Sequence, residues 1–309
     1  MSDVALIWVR WALYVDLGLL FGLPLFALYA LGGGRAGQRH LPLAVPLIGL
    51  AVLGLILSAV GFVIQGAAMA GVPLTRADMS ILSDLLGTTA LGLALKIRVL
   101  AHLVVLIGSA LLGRWPRAAT VVATLAGAVA LATLAWGGHG AAGEGNAGWL
   151  QLAADLIHLF AAGAWVGAIA AFLILALPPI AFGDMERPTL AERALRGFAG
   201  VGTLIVALLI LTGAINGFFL VGPNRVAALG QSTYGLLLIA KLLLFAAMLA
   251  LAGLNRFRLT PALGLAIEQN DAPRAMALLR RSLFVEGSLA IVIFALVAWL
   301  GTLSPPVSA

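Results

Sequence analysis

The sequence predicts an all-α polytopic membrane protein: eight transmembrane helices in one integral membrane domain, with both termini on the outer side. Three observations lead there. Of 309 residues, 62% are hydrophobic and only 10% charged, whereas ordinary soluble domains carry about 25% charged residues. A water-soluble fold has too little interior to hide that much apolar surface. The apolar residues run unbroken for the roughly 20 positions that a helix needs to cross hydrocarbon, without the ~10-residue alternating segments of membrane strands. This composition excludes a soluble enzyme, a secreted domain and a disordered tail. The chain has no cysteine, so disulfides, thiolate metal sites, iron–sulfur clusters and cysteine nucleophiles are excluded too.

The eight apolar runs cover residues 4–31, 41–69, 88–113, 118–136, 149–177, 197–220, 234–253 and 282–303. Glycine and proline punctuate the breaks, as at Gly32-Gly33-Gly34, Gly71-Val72-Pro73 and Gly222-Pro223. Two halves follow, 1–145 and 146–309, each of four spans. The first run is too long for a cleavable leader, and Asp3 and Asp16 are out of place in one. The break at 255–281 contains an amphipathic stretch, 273–281, read as a separate helix lying at the interface. Arg35, Arg39, Arg114, Arg117, Arg187, Arg193, Arg196 and five further arginines from Arg256 to Arg281 fall in alternate breaks, while the opposite breaks hold Arg76 and Arg225. The positive-inside rule places the arginine-rich side in the cytoplasm and both termini outside. The net charge of +6 reflects that bias, so no nucleic-acid partner is needed, and membrane lipid is the expected surrounding.

A depth ruler locates the polar side chains. At about 1.5 Å per residue, about 20 residues counted from the cytoplasmic marker of a span reach its far side. Asp16 lies 19 residues from Arg35, Lys96 18 from Arg114, His139 22 from Arg117, His158 20 from Pro178 and Asn216 20 from Arg196. Asp155 and Gln65 belong to the same outer layer. Arg98, Lys241 and His102 lie deeper, and Glu286 is 5 residues from Arg281, near the inner face. Ionisable groups inside a membrane are costly and usually face a bundle interior or wet cavity. The layout is that of a permeation route, with an outward polar vestibule, a sparse middle and an acidic inner exit.

Within the outer layer, His139 sits in the loop Gly137-Gly138-His139-Gly140, and Asp155 and His158, three residues apart, share a helix face. Two imidazoles and a carboxylate suit a first-row metal ion, with Asp16 as a fourth member. Met69 and Met79 on the same side are soft ligands suited to Cu(I). Structural readings stand beside these. Asp155 with His158 is equally a hydrogen-bonded pair, and Asp16 equally a partner of Lys96 or Arg10. Glu286 is equally a counter-charge for Arg281, and Met69 and Met79 are equally packing residues. Trp8, Trp11, Trp136, Trp149 and Trp299 near span ends read as an interfacial belt.

The second half resembles the copper resistance protein D (CopD) family of bacterial inner-membrane proteins. The residues that carry the resemblance run from Asp155 and His158 through Gly163, Trp165 and Gly167, then Asn216-Gly217. They continue with Thr233-Tyr234-Gly235 to Lys241, Asn255-Arg256 with Arg258 and Pro261, and Arg280-Arg281-Ser282 with Glu286. They cover about residues 149–306; the first half matches mainly in span count and the segment around His139. The resemblance implies a multi-pass inner-membrane protein, not an enzyme, that moves copper from periplasm to cytoplasm, working beside a separate periplasmic copper-binding protein of the CopC type. The copper ion would be captured at His139, Asp155, His158 and Asp16. It would pass Asn216, Tyr234 and His102, with Lys96, Lys241 and Glu286 along the path or at its gate. Its valence, Cu(I) or Cu(II), stays open, although the lack of cysteine favours Cu(II). No P-loop pattern occurs, so movement would draw on ion gradients or the membrane potential. Two other classes remain. One is a b-type haem or electron-transfer protein, for which His102 and His158 differ in depth by about 12 Å. The other is a copper-binding partner that does not transport.

Overall fold

The computed structural model describes residues 2–137, 145–177, 186–269 and 271–306. Among them there is no strand, and eight helices are long and apolar enough to cross a membrane. In chain order the helices are α1 (Ser2–Leu31), α2 (Arg35–His40), α3 (Ala44–Met69), α4 (Met79–Thr88), α5 (Ala90–Leu111), α6 (Pro116–Ala132), α7 (Gly145–Ala176), α8 (Glu186–Leu220), α9 (Thr233–Leu254), α10 (Thr260–Glu268) and α11 (Ala272–Leu300). The spans are α1, α3, α5, α6, α7, α8, α9 and α11.

Local chemistry sets several starts. The Asp78 carboxylate accepts the Ile81 N–H at 3.0 Å and opens α4; that bond and one from the Ser80 hydroxyl hold its pKa below the usual aspartate value. Thr89 Oγ1 caps α5 through the Gly92 N–H at 3.0 Å, and Ser232 Oγ caps α9 through the Gly235 N–H at 3.1 Å. Proline in the first turn of α6 and of α11 costs no bond, because those N–H groups have no partner within the helix.

Two boundaries differ from the sequence expectation. The amphipathic stretch 273–281 is no separate helix but the first turns of α11, because nothing between Arg281 and Ser282 breaks the backbone. Likewise α8 starts at Glu186, well before residue 197. Beyond α9 the helix widens into one π turn, Asn255–Leu259, where the Thr260 hydroxyl donates to the Asn255 carbonyl at 2.8 Å, and then continues as α10.

An even number of crossings returns the chain to the face where it began. Trp11 Nε1 donates to the Ile291 carbonyl at 3.1 Å, and Arg225 donates to the Pro306 carbonyl. This is the terminal face. At the opposite, arginine face, His40 Nε2 and Glu186 Oε1 lie 3.1 Å apart. Trp8, Trp136, Trp149 and Trp299 are exposed near the span ends, and Trp11 is half-buried.

The centre of the bundle is α1, which packs against α7, α6, α3 and α11 and fully buries Leu17, Leu20 and Phe26. Its closest neighbour is α7. A Cβ on Gly22 would overlap Gly163 and Gly167, and one on Gly167 would overlap the backbone of Gly22. Gly18-x-x-x-Gly22 and Gly163-x-x-x-Gly167 thus form facing small-residue stripes, which gain packing where lipid offers no hydrophobic drive. Gly167→Ala is expected to cost about 1–3 kcal/mol. Unfolding of the purified variant in mixed micelles measures it, and wild-type stability would mean that the two backbones do not touch.

Candidate functional site

Five of the predicted residues border one cavity of about 210 Å³ near the terminal face: Asp155 and His158 from α7, Asn216 from α8, and Tyr234 and Lys241 from α9. Arg10 and Tyr14 of α1 and Phe294 of α11 close it. The spacing explains the convergence. Asp155 and His158 are one turn apart, Gly213 and Asn216 line α8, and Tyr234, Leu238 and Lys241 follow one stripe of α9. Asn216 Oδ1 is buried without a hydrogen-bond partner. The Lys241 ammonium lies within electrostatic reach of Asp155 and His158.

The bonds around His158 fix its tautomer. Its Nδ1 is 2.9 Å from Thr212 Oγ1, and Thr212 gives its only hydroxyl proton to the Leu208 carbonyl at 2.6 Å. Thr212 can therefore only accept, so His158 carries its proton on Nδ1 and leaves Nε2 as a lone pair. A neutral imidazole held by its second nitrogen is the form that ligates metals.

Two more cavities follow this one along α7. A largely apolar space of about 410 Å³ shares His158 and Lys241 with it and runs past Leu209, Phe245 and Met248 to Trp165. Trp165 also borders a third, of about 230 Å³, with Asn255, Arg256 and Glu286 toward the arginine face. There the buried Glu286 carboxylate accepts from Trp165 Nε1 at 2.8 Å and from Asn255 Nδ2 at 3.0 Å. The π turn presents Asn255 at this point. The expected pairing of Glu286 with Arg281 gives way to these two neutral donors.

Other candidates fall elsewhere. His139 lies outside the described residues. Asp16 and His102 do not line the three cavities; they meet each other across Gly54, whose Cβ would overlap His102 Nε2 and Asp16 Oδ2. Asp16 thus meets neither Lys96 nor the His158 group, because each sits on another face of the bundle. Lys96 is exposed on the outer surface of α5. Met69 and Met79, 55% and 79% exposed, border none of these cavities. Gln65, Ser58 and Arg98 line a small cavity of about 50 Å³ between α1, α3 and α5, and Arg98 Nε donates to Thr133 Oγ1 at 2.7 Å. His102 and His158 share no cavity, so the axial pair of a haem reading is not assembled. Among the described residues no three His, Asp or Glu side chains gather closely enough to cage a metal. Any ion here would complete its shell with amide, phenol or water oxygens.

The sequence reading gave no role to Thr212, Trp165 or Gly54. Of these only Trp165 left a signal: a tryptophan in mid-span, away from the interfacial belt, must find an acceptor for its N–H.

Residues 1–149 match the family model "Copper resistance protein D-like, N-terminal domain", and residues 192–300 match "Copper resistance protein D". The chain is 40% identical over 310 aligned positions to "Copper resistance protein D" of Pseudomonas syringae pv. tomato, covering 100% of this chain and 99% of the relative. It is 32% identical over 103 positions to "Copper transport protein CutJ" of Bacillus subtilis (strain 168), covering 33% of this chain and 18% of that one. No solved structure matches the chain.

Thr212→Val keeps the side-chain shape but removes the acceptor for His158. Nitrogen NMR of histidine-labelled protein should show His158 protonated on Nδ1 in the wild type and shifted toward the Nε2 tautomer in the variant. The same tautomer in both would break the assignment.

Proposed function

The chain belongs to the copper resistance protein D family, and on that premise we propose that it carries copper ions across the bacterial inner membrane, from periplasm to cytoplasm, admitting them at the cavity of Asp155 and His158. The observation that supports this reading most is the run of three adjoining cavities. Its first cavity holds a carboxylate and a metal-ready imidazole near one face, and its third a buried carboxylate near the other. The arginines belong to the second face, which the positive-inside rule assigns to the cytoplasm.

In this reading His158 Nε2 and Asp155 take the ion, and Asn216 Oδ1 and the Tyr234 hydroxyl complete its shell, with His139 a further candidate ligand by its place in the sequence. A donor set of nitrogen and oxygen without sulfur suits Cu(II) better than Cu(I), so Met69 and Met79 have no part in it. Lys241 is the counter-charge of Asp155 while the cavity is empty. Once copper is bound, the positive charge of Lys241 in the same cavity opposes tight retention. The middle cavity offers few ligands, which keeps the ion from resting there. Glu286, held by two neutral donors, receives it near the cytoplasm. A negative interior favours that direction by about 2.3 kcal/mol per charge per 100 mV. A separate periplasmic copper-binding protein of the CopC type would deliver the ion.

Copper uptake into proteoliposomes tests the reading. His158→Ala is expected to lower flux about 10–100-fold, the usual cost of disturbing a metal site; undiminished flux would defeat the assigned site. Lys241→Met should bind copper more tightly by roughly tenfold, since a charge contact of about 1.4 kcal/mol is removed, while transporting more slowly. Unchanged affinity in a competition titration would take Lys241 out of the mechanism.

A further inference from the structure

Asp16, Ser58 and His102 hold four buried polar atoms that lack any hydrogen-bond partner: both carboxylate oxygens of Asp16, Ser58 Oγ and His102 Nε2. The three side chains come from α1, α3 and α5 and are 2%, 2% and 0% exposed. Gly54 keeps the space between Asp16 Oδ2 and His102 Nε2 open, because a Cβ there would overlap both. Ser58 stands one turn further along the same face of α3.

The protons are accounted for. His102 Nδ1 lies 2.7 Å from the Arg98 carbonyl, which can only accept. Nδ1 therefore carries the hydrogen, and Nε2 turns its lone pair toward Asp16. Arg98 directs its Nε to Thr133, and among the described residues neither ion pair, His40–Glu186 nor Arg196–Glu192, involves Asp16. The packing thus turns two Lewis bases, Asp16 and His102, toward the space that a Cβ on Gly54 would fill. Asp16 and His102 make no direct hydrogen bond, so a proton on one Asp16 oxygen would leave its other oxygen, His102 Nε2 and Ser58 Oγ orphaned. A cation in the space at Gly54 would engage Asp16 and His102 together.

There is also an approach. The small cavity between α1, α3 and α5 is lined by Tyr14, Ser58 and Arg98. Leu13 lines it too, and one turn from Leu13, Ser58 and Arg98 stand Asp16, Gly54 and His102. The same cavity shares Arg10, Tyr14 and Leu134 with the outer cavity of Asp155 and His158.

The geometry points to a second cation site, in the first half of the chain, where Asp16 and His102 bind a divalent first-row metal ion with Ser58 beside them. Carboxylate, imidazole and hydroxyl form a nitrogen–oxygen donor set that suits Cu(II). The choice of copper rests on the family membership, but the site itself does not depend on the transport reading, because none of its three ligands lines the outer cavity.

Full-length protein in lipid nanodiscs, titrated with Cu(II) alone and followed by equilibrium dialysis and electron paramagnetic resonance, tests it. Asp16→Asn and His102→Gln should each lose one bound equivalent, or bind it at least about tenfold more weakly, while His158→Gln retains that equivalent. The signal lost should carry splitting from one nitrogen, and His102→Gln should abolish that splitting. If both variants bind the same number of ions with wild-type affinity, the site holds a proton or nothing, and the proposal falls. Asp16→Asn is isosteric and decides the matter should His102→Gln not fold. Copper-soaked wild-type crystals give an independent measurement: an anomalous peak between Asp16 and His102 supports the site, and its absence there overturns it. Lost flux in His158→Ala with this equivalent intact would leave the second site standing, and the reverse result would leave the transport reading standing.

Discussion

The close crossing of α1 and α7 at Gly22 and Gly167 sets the position of both polar regions. With no side chains between them the two backbones touch, so α7 is held against the centre of the bundle along much of its length. Asp155, His158 and Trp165 on α7 then face α8, α9 and α11 on one side. Asp16 of α1 faces α3 and α5 on another. A larger residue at either glycine would push α7 outward and widen every cavity along it. In lipid, where association gains little from hydrophobic burial, such contact is a main source of cohesion.

The two buried imidazoles are prepared in the same way. Each gives its Nδ1 proton to an acceptor that its own fold supplies: Thr212 for His158 and the Arg98 carbonyl for His102. Each keeps Nε2 as a lone pair. The acceptors differ in origin. The Arg98 carbonyl belongs to the same helix one turn earlier, so His102 needs only α5 for its orientation. Thr212 belongs to α8, so His158 is set only when α7 and α8 pack. Threonine can act there because its proton is already taken by the Leu208 carbonyl.

The proposed route alternates polar ends with an apolar middle, and the arrangement has an energetic logic. Polar side chains facing hydrocarbon are costly, and tight ligands all along a path would stop an ion from leaving. Glu286 shows how a carboxylate is tolerated deep in the bundle: two neutral donors, Trp165 and Asn255, bond both of its oxygens without cancelling its charge. The π turn at Asn255 is the local irregularity that aims the amide inward, and such turns are frequent at functional positions.

Height along the membrane was legible in the sequence; azimuth around each helix was not. Length and apolar runs determined eight spans, and residue spacing brought Asp155, His158 and Asn216 to one level. The ruler misjudged Asp16 and His102, which it set about 7 residues apart although they meet over Gly54. Its zero for α1 was Arg35, which lies beyond the turn that ends that helix, and tilt shifts each span by its own amount. Lys96 had the expected height but points outward, and Met69 and Met79 lie away from the cavities. Composition and periodicity fix how far a residue is from a helix end, because rise per residue is constant. Which neighbour it meets depends on how the helices pack, and here two pairs of glycines on separate spans, together with Gly54, decided that.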